Sequence, residues 1–148
     1  MIAIGNDHRG IELKREIEKY LQEKGIKYKD FGTNTEERVD YPIFASKVAK
    51  AIQKKECEIG ILICGTGSGM MIVANKYKGI RCAQCYDEYT SKHAKAHNDC
   101  NIIAFGADDI KPSKAIECIR IFLGTSFEGG RHAERLKIIE DIENENMK

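Results

Sequence analysis

The sequence predicts an α/β domain in which a parallel β-sheet is covered by helices on both sides. Five short apolar runs alternate with segments of helical periodicity, which is the pattern of successive βα units. The central run, Ile59 to Cys64, is apolar on both faces, as strands buried inside a parallel sheet tend to be. The 148 residues fit a single domain, 1–148, which is long enough to bury a core without a disulfide or a metal.

The first half of the chain is predicted to follow the order β-α-β-α-β. Strands are expected at residues 2–4, 26–31 and 59–64, and helices at 11–21 and 41–52. Gly25 is typical of the residue that follows a helix, and Pro42 is tolerated in a first helical turn. The polar stretch that ends at Asp40 is predicted to be an exposed loop.

The second half continues the alternation and adds one helix. Strands are expected at residues 80–85 and 102–105, and helices at 70–77, 87–97, 112–123 and 131–144. The last helix is charged but carries Leu136, Ile138, Ile139 and Ile142. Because these side chains need a partner surface on this chain or on a second copy, we favour a dimer.

Composition argues against several classes of partner. The net charge is +1 with acids and bases mixed, so neither a nucleic acid nor a membrane is expected as a partner. We see no basic, apolar and small-residue pattern of a signal peptide and no apolar run near the ~20 residues that span a bilayer, so we expect a cytoplasmic protein. Cys82 and Cys85 form a C-x-x-C, but a spacing of three in a strand puts them on opposite faces, which predicts two buried thiols.

The loops that follow two of the predicted strands carry residues that could take part in a reaction. The first strand leads into Asp7-His8, and the third leads into Cys64 and the alternating glycines Gly65, Gly67 and Gly69. Ligands of open parallel sheets bind outside the carboxyl ends of the strands, at a switch in strand order. If the first and third strands are neighbours, both loops face one cleft.

The glycine-rich loop matches none of three common phosphate-binding patterns. Met70 stands where a dinucleotide fingerprint needs Gly or Ala and where a cysteine phosphatase loop has arginine, and there is no Walker lysine. Closely spaced glycines at a helix N-terminus can still aim several N–H groups at a phosphate or an enolate oxygen. A tight βα turn without a ligand remains the alternative.

Three further groups are candidates. Cys64 precedes a helix N-terminus, where thiolates are favoured, and could act as a base or nucleophile, or be an ordinary buried cysteine. His93 and His97 share a helix face, but the glutamate of H-E-x-x-H is missing and we expect no metal. His97 ends a helix just before strand five, which we interpret as near the ligand edge, where it suits proton transfer; a surface histidine is the alternative.

Arg131 and Arg135 lie one helical turn apart at the start of the last helix and can face the same anion. A solvated helix start with ion pairs is the alternative for this cluster.

Together these motifs resemble the type B ribose-5-phosphate isomerase family, which includes the galactose-6-phosphate isomerase subunits. The resemblance runs along nearly the whole chain. Its motifs, in order, are Gly5-Asn6-Asp7-His8 with Gly10, Asp30-Phe31-Gly32, Val39-Asp40-Tyr41-Pro42, Gly60 to Gly69, Ala74-Asn75-Lys76, Gly79-Ile80-Arg81, His97 to Asn101, and Gly129-Gly130-Arg131-His132 with Arg135.

The resemblance implies a three-layer α/β/α sandwich with a five-stranded parallel sheet, in a dimer or dimer of dimers with shared active sites. It implies isomerisation of a sugar phosphate without a cofactor or metal. Cys64 would be the base, with Thr66 and Asp7 assisting and His97 opening the furanose ring. The implied substrate-binding residues are His8, Tyr41, Gly65, Gly67, Ser68, Gly69, Asn98, Arg131, His132 and Arg135.

Two positions depart from the family pattern. Many relatives carry Gly-Ala-Arg after strand five, with the arginine near the phosphate, whereas here Gly106-Ala107 leads to Asp108. Arg9 stands where relatives often have a small residue. We hypothesise that Arg9 partly replaces the missing positive charge.

The leading hypothesis is an isomerase of ribose 5-phosphate and ribulose 5-phosphate in the pentose phosphate pathway. An isomerase of a six-carbon phosphate, such as allose or galactose 6-phosphate, is the nearest alternative. A nucleotide- or flavin-binding module and a thiol phosphatase are alternatives of other classes; the glycine loop and Met70 argue against them.

Overall fold

The computed structural model describes residues 1–147, which form a five-stranded parallel sheet between two layers of helices. The strands are β1 (Ile2–Asn6), β2 (Tyr28–Asp30), β3 (Ile59–Cys64), β4 (Cys82–Gln84) and β5 (Ile102–Gly106). The helices are α1 (Ile11–Glu23), α2 (Tyr41–Gln53), α3 (Ser68–Ala74), α4 (Glu88–Ala96), α5 (Pro112–Leu123) and α6 (Arg131–Asn146). The strand order is β2-β1-β3-β5-β4, and the predicted fold class is confirmed.

The core consists of two apolar layers separated by the sheet. Ile61, Ile63 and Phe105 face α1, α4 and α5, whereas the alternate residues Leu62 and Ala104 face α2 and α3. This period of two is what a central parallel strand produces when both of its faces are covered. Both faces of the central strands are therefore apolar.

The cysteines follow the same division. Cys82 packs in the layer of α2 and α3 and Cys85 in the layer of α1 and α5, so the sheet separates the two thiols, as predicted. Cys85 itself lies one residue beyond β4. In the described part of the chain all six cysteines are free and buried.

Predicted bounds are confirmed for β3 and α5 and differ elsewhere. The edge strands β2 and β4 are three residues long, shorter than predicted, because each pairs with only one neighbour. Helix α3 begins two residues earlier than predicted, directly after Gly67 with its φ of +83°. It ends early because the side chain of Asn75 turns to pair with the backbone of Cys82 at the start of β4.

A buried ion pair connects α1 to the end of β2. Lys14 is fully buried, and its Nζ donates to both carboxylate oxygens of Asp30, at 3.2 and 3.0 Å, and to the carbonyl of Thr33 at 2.7 Å. Burial by itself would raise the pKa of Asp30. Hydrogen bonds from Lys14, the N–H of Gly32 and Asn34 outweigh burial and hold that pKa below its usual 3.8.

Removing the charge of Asp30 would leave the Lys14 ammonium buried without a counter-charge. We expect Asp30→Asn to lower the free energy of unfolding at pH 7 by about 3 kcal/mol, measured by urea unfolding followed by circular dichroism. The pKa of Asp30 is lower in the folded than in the unfolded chain. The parent protein therefore has this stabilisation above pH ~4 and loses it as the pH falls through the lowered pKa, and Asp30→Asn should lack that part of the acid sensitivity.

Asp141→Asn is the matched control, because Asp141 pairs with Lys137 at 3.2 Å on the exposed side of α6. Exposed pairs contribute little, so this variant should lose less than about 0.5 kcal/mol. Equal losses in the two variants would contradict a special role for the buried pair.

Candidate active site

The carboxyl ends of β1 and β3 form one edge of a shared cleft. The two strands are hydrogen-bonded neighbours, which is the condition under which both loops face one cleft, and the Asp7 N–H extends their ladder to the carbonyl of Ile63 at 3.2 Å. The cleft has a volume of about 240 Å³. We call it the Cys64 cleft; it is lined by Asp7, Arg9, Tyr41, Cys64, Gly65, Thr66 and Gly69.

The glycine loop, residues 65–69, lies directly on the end of β5. A Cβ on Gly106 would stand 2.5 Å from the carbonyl oxygen of Thr66, and one on Gly67 would stand 2.9 Å from the backbone of Phe105. Gly67 also has a φ of +83°, a left-handed conformation that side chains disfavour. At Gly69 a Cβ would meet the ring of Tyr41 at 2.5 Å, so glycine lets the tyrosine close over the loop.

Cys64 differs from the other five cysteines in its surroundings. Its Sγ accepts a hydrogen bond from the N–H of Gly67 at 3.2 Å, so the sulfur faces the backbone of the glycine loop. Burial raises the pKa of Cys85 to about 12 and that of Cys100 to about 11, which keeps these thiols protonated. Burial also raises the pKa of the remaining three, Cys57, Cys82 and Cys118.

Gln84, at the end of β4, holds the glycine loop from the side. Its Nε2 donates to the carbonyl of Thr66 at 2.5 Å, and its Oε1 accepts from the hydroxyl of Ser68 at 3.3 Å. Sequence reasoning missed this residue, because a glutamine in a strand carries no motif and its partners belong to another βα unit.

The loop after β1 is fixed by side-chain contacts. Asp7 is buried, and its Oδ1 accepts from the N–H of Arg9 at 3.0 Å. Asn6 is fully buried and donates from Nδ2 to the carbonyls of Asp7 and Thr33. His8 Nδ1 accepts from the N–H of Val39 at 3.2 Å, so in the neutral ring the proton is on Nε2.

Arg9 and Asp108, the two residues that depart from the family pattern, contact each other. Arg9 Nη2 lies 3.3 Å from Asp108 Oδ2, and both side chains stand over Gly65, where a Cβ would be 2.9 Å from the carboxylate. Arg9 therefore lines the Cys64 cleft, but part of its charge is offset by Asp108. Its contribution to substrate affinity stays a prediction.

The predicted position of His97 at the ligand edge is wrong. The carbonyl of Asn98 accepts a hydrogen bond from Arg81 Nε at 2.9 Å, and Arg81 immediately precedes β4. Helix α4 starts at the carboxyl edge of the sheet and runs back, so the segment before β5 lies at the amino edge. A strand the length of β3 separates the edges by about 17 Å.

The start of α6 lies at this amino edge too, because the N–H of Glu128 donates to the carbonyl of Ala96 at 2.9 Å. The structure therefore brings together Asp7, Tyr41, Cys64 and Thr66 with the glycine loop. It places five predicted site residues at the opposite edge: His97, Asn98, Arg131, His132 and Arg135.

His97, Glu128 and His132 form a compact group that we call the histidine cluster. The two imidazole rings stack at 4.1 Å with 11° between their planes, and Glu128 Oε2 lies 3.5 Å from Nε2 of His97 and 3.9 Å from Nε2 of His132. Burial, followed by the charges of His97 and Arg131, lowers the pKa of His132.

The potential ligand atoms of the histidine cluster lie within 4.8 Å of one another, a spacing that a metal ion could use. However, parallel rings do not converge on a tetrahedral centre, and the positive charge of Arg131 disfavours a second cation. The arrangement suits proton exchange better.

Comparison with known proteins identifies relatives along nearly the full chain. A family model described as Ribose/Galactose Isomerase matches residues 2–139. The ribose-5-phosphate isomerase B of Escherichia coli is 45% identical over 142 residues, which cover 96% of this chain and 95% of the relative.

Within residues 1–147, none of the helices has the length and apolar character that a membrane span requires.

Two solved structures share the fold. Ribose-5-phosphate isomerase B of Clostridium thermocellum superposes with a TM-score of 0.95 at 46% identity, covering 97% of both chains. The enzyme of the same name from Mycoplasma genitalium, with bound ribulose-5-phosphate, has a TM-score of 0.93 at 37% identity, covering 98% of this chain and 97% of its own.

Gln84 should keep the glycine loop ordered. We expect Gln84→Met, which removes both hydrogen bonds at similar side-chain volume, to speed amide hydrogen exchange in residues 65–69 about fivefold to tenfold. Exchange followed by mass spectrometry at pH 7 measures this change.

Gln53→Met is the control, because Gln53 makes an exposed hydrogen bond to the carbonyl of Lys78 at 2.9 Å, away from the loop. Its exchange in residues 65–69 should match that of the parent protein. Unchanged exchange in Gln84→Met would show that the loop stays ordered without the two hydrogen bonds of Gln84.

Proposed function

Because the chain belongs to the ribose/galactose isomerase family, we propose that it interconverts ribose 5-phosphate and ribulose 5-phosphate. The observation that carries the proposal is Cys64, whose sulfur accepts an amide hydrogen bond inside a cleft built by the glycine loop. The names of the relatives support the substrate, since ribose-5-phosphate isomerase B enzymes resemble this chain over more than nine tenths of their length.

Cys64 is the proposed base for the proton transfer between C1 and C2. In the open-chain aldose, the thiolate removes the proton on C2, the C–H electrons form a C1–C2 double bond, and O1 becomes an oxyanion. The thiol then returns the proton to C1 while O2 becomes the carbonyl oxygen and its proton passes to O1. Asp7 and Thr66 line the same cleft and are the proposed carriers of the proton between the two oxygens.

The glycine loop is proposed to stabilise the enediolate. The N–H of Gly67 is engaged by Cys64 and that of Ser68 by Thr66 Oγ1, which leaves the other amides of the loop for the oxyanion. Preorganised amides of this kind contribute roughly 3–4 kcal/mol per donor to a transition state. Tyr41, closed over Gly69, is placed to exclude water from the sugar.

A complete site is proposed to require two copies of the chain. His97, Asn98, Arg131, His132 and Arg135 cannot reach the Cys64 cleft of their own chain, because they lie at the opposite edge of the sheet. In a two-fold dimer, the amino edge of one chain can meet the carboxyl edge of the other, and the reverse contact follows by symmetry.

This dimer would bring His97 to the furanose ring and the arginines to the phosphate, with His8 contributing from the chain of Cys64. The exposed Ile138, Ile139 and Ile142 of α6 supply apolar surface for the contact.

The reaction and its base are tested together in D₂O. With ribose 5-phosphate, the protein should form ribulose 5-phosphate that carries deuterium at C1, because the proton on Cys64 exchanges with solvent before it returns. Cys64→Ala should lower kcat by about 10²- to 10⁴-fold, the usual contribution of a general base. NMR of the product measures both.

Cys118→Ala is the control, because Cys118 is buried and packs in the core. It should keep kcat and lose only stability. Efficient turnover by Cys64→Ala would reject Cys64 as base and keep the isomerase. An inactive parent protein would reject the ribose 5-phosphate assignment, and turnover of allose or galactose 6-phosphate would then identify a six-carbon substrate.

Shared sites predict complementation between inactive variants. Cys64→Ala and His97→Asn should each be inactive alone, whereas a mixture that is unfolded and refolded together should regain about a quarter of the parent activity. Half of the dimers are then mixed, and one of the two sites in each mixed dimer is intact. Refolding each variant separately and mixing afterwards is the control.

Activity that never returns in the co-refolded mixture would contradict the sharing of sites. Size-exclusion chromatography of the mixture checks that dimers have formed.

A further inference from the structure

We propose that Glu128 is the positioning residue of His97, holding its imidazole ring at Nε2 and supplying the negative charge against which that ring exchanges a proton. The inference rests on the proposed function and adds to it a residue that sequence motifs did not indicate. Glu128 itself has no contact with the Cys64 cleft of its own chain.

The backbone fixes the position of Glu128 relative to His97. The Glu128 N–H donates to the carbonyl of Ala96 at 2.9 Å, one residue before His97. His97 is itself held by its N–H, which donates to the carbonyl of His93 at 3.0 Å. The carboxylate and the imidazole are therefore brought together by two fixed segments, and their 3.5 Å separation is short enough to close to a hydrogen bond when a ligand binds.

The contact decides which ring nitrogen of His97 does chemistry. Once the contact between Nε2 and the carboxylate closes to a hydrogen bond, the neutral ring keeps its proton on Nε2, and Nδ1 is the atom left to exchange a proton with a ligand. A ring without that partner would divide between two tautomers, of which only one is productive.

Glu128 also provides the counter-charge that this corner of the molecule needs. The ring of His132 stacks on that of His97, and the ring of His93 meets His97 edge-on at 4.5 Å. The positive charge of Arg131 acts on His132. Burial, together with the charges of His97 and Arg131, lowers the pKa of His132, which disfavours the charged form of that ring. The carboxylate oxygen of Glu128 lies nearer to Nε2 of His97, at 3.5 Å, than to Nε2 of His132, at 3.9 Å, so its negative charge is closer to His97.

The step served by this pair is the opening of the furanose. The C1–O4 bond breaks and O4 takes a proton from Nδ1 of His97, while the hydroxyl on C1 loses its proton to water and becomes the carbonyl. No oxidant or metal is needed. The later proton transfer between C1 and C2 uses Cys64 and does not involve His97, so the two steps can be measured apart.

The test separates these two steps with one variant. Ribulose 5-phosphate cannot form a furanose, because its O5 carries the phosphate. Exchange of its C1 hydrogen with D₂O therefore reports the Cys64 step alone. Glu128→Gln should lower kcat/KM for isomerisation of ribose 5-phosphate about 10- to 100-fold and leave the exchange rate within about threefold.

Glu134→Gln is the matched control, because Glu134 is an exposed glutamate like Glu128 but lies in the first turn of α6, outside the histidine cluster. It should change neither rate. His97→Asn should show the same split as Glu128→Gln, with a larger loss.

Equal losses of isomerisation and exchange in Glu128→Gln would overturn the inference and indicate an effect on phosphate binding or on the fold, which circular dichroism checks. No loss in either rate would overturn it as well. A parent protein that neither isomerises nor exchanges would overturn the proposed function and the inference with it.

Discussion

The parallel pairing of β1 with β3 is the constraint on which the Cys64 cleft depends. Because both strands run the same way, Asp7 and Cys64 leave the sheet at the same edge. Glycines make the packing around this pair close: a Cβ on Gly5 would stand 2.8 Å from Val48, and one on Gly10 would stand 2.7 Å from Ile63. Helix α2 and the turn after β1 therefore rest directly on the strands, which brings Tyr41 to the glycine loop.

Much of the fold could be predicted because the evidence for it is local in sequence. The apolar run of β3 and the Pro112 that opens α5 are each read within a few residues, and their bounds are confirmed. The edge strands were predicted too long, since strand length at an edge depends on a single neighbour that the sequence does not reveal. The start of α3 depends on which residue of the glycine loop takes the left-handed backbone conformation. In the structure that residue is Gly67, but other residues of the loop could have adopted it.

The candidate site was predictable where motifs follow strands and not where contacts join distant segments. Asp7, Cys64 and the glycine loop were found because each is the direct continuation of a strand. Lys14, Gln84 and Glu128 were missed, because their partners belong to other βα units and the sequence around each carries no motif. His97 was predicted at the wrong edge of the sheet. His97 follows α4, and a helix that precedes a strand ends at the edge where that strand begins.

The separation of Cys64 from the histidine cluster bears on how the protein would respond to dilution. If the two halves of a site lie on different chains, as we propose, the output of each chain would follow the fraction that is associated, and that fraction would fall as the total concentration drops below the dissociation constant of the dimer. Substrate that bridges the halves would shift this equilibrium toward association by mass action. Supply of the sugar phosphate would then set how much of the protein is assembled as well as how fast each site works.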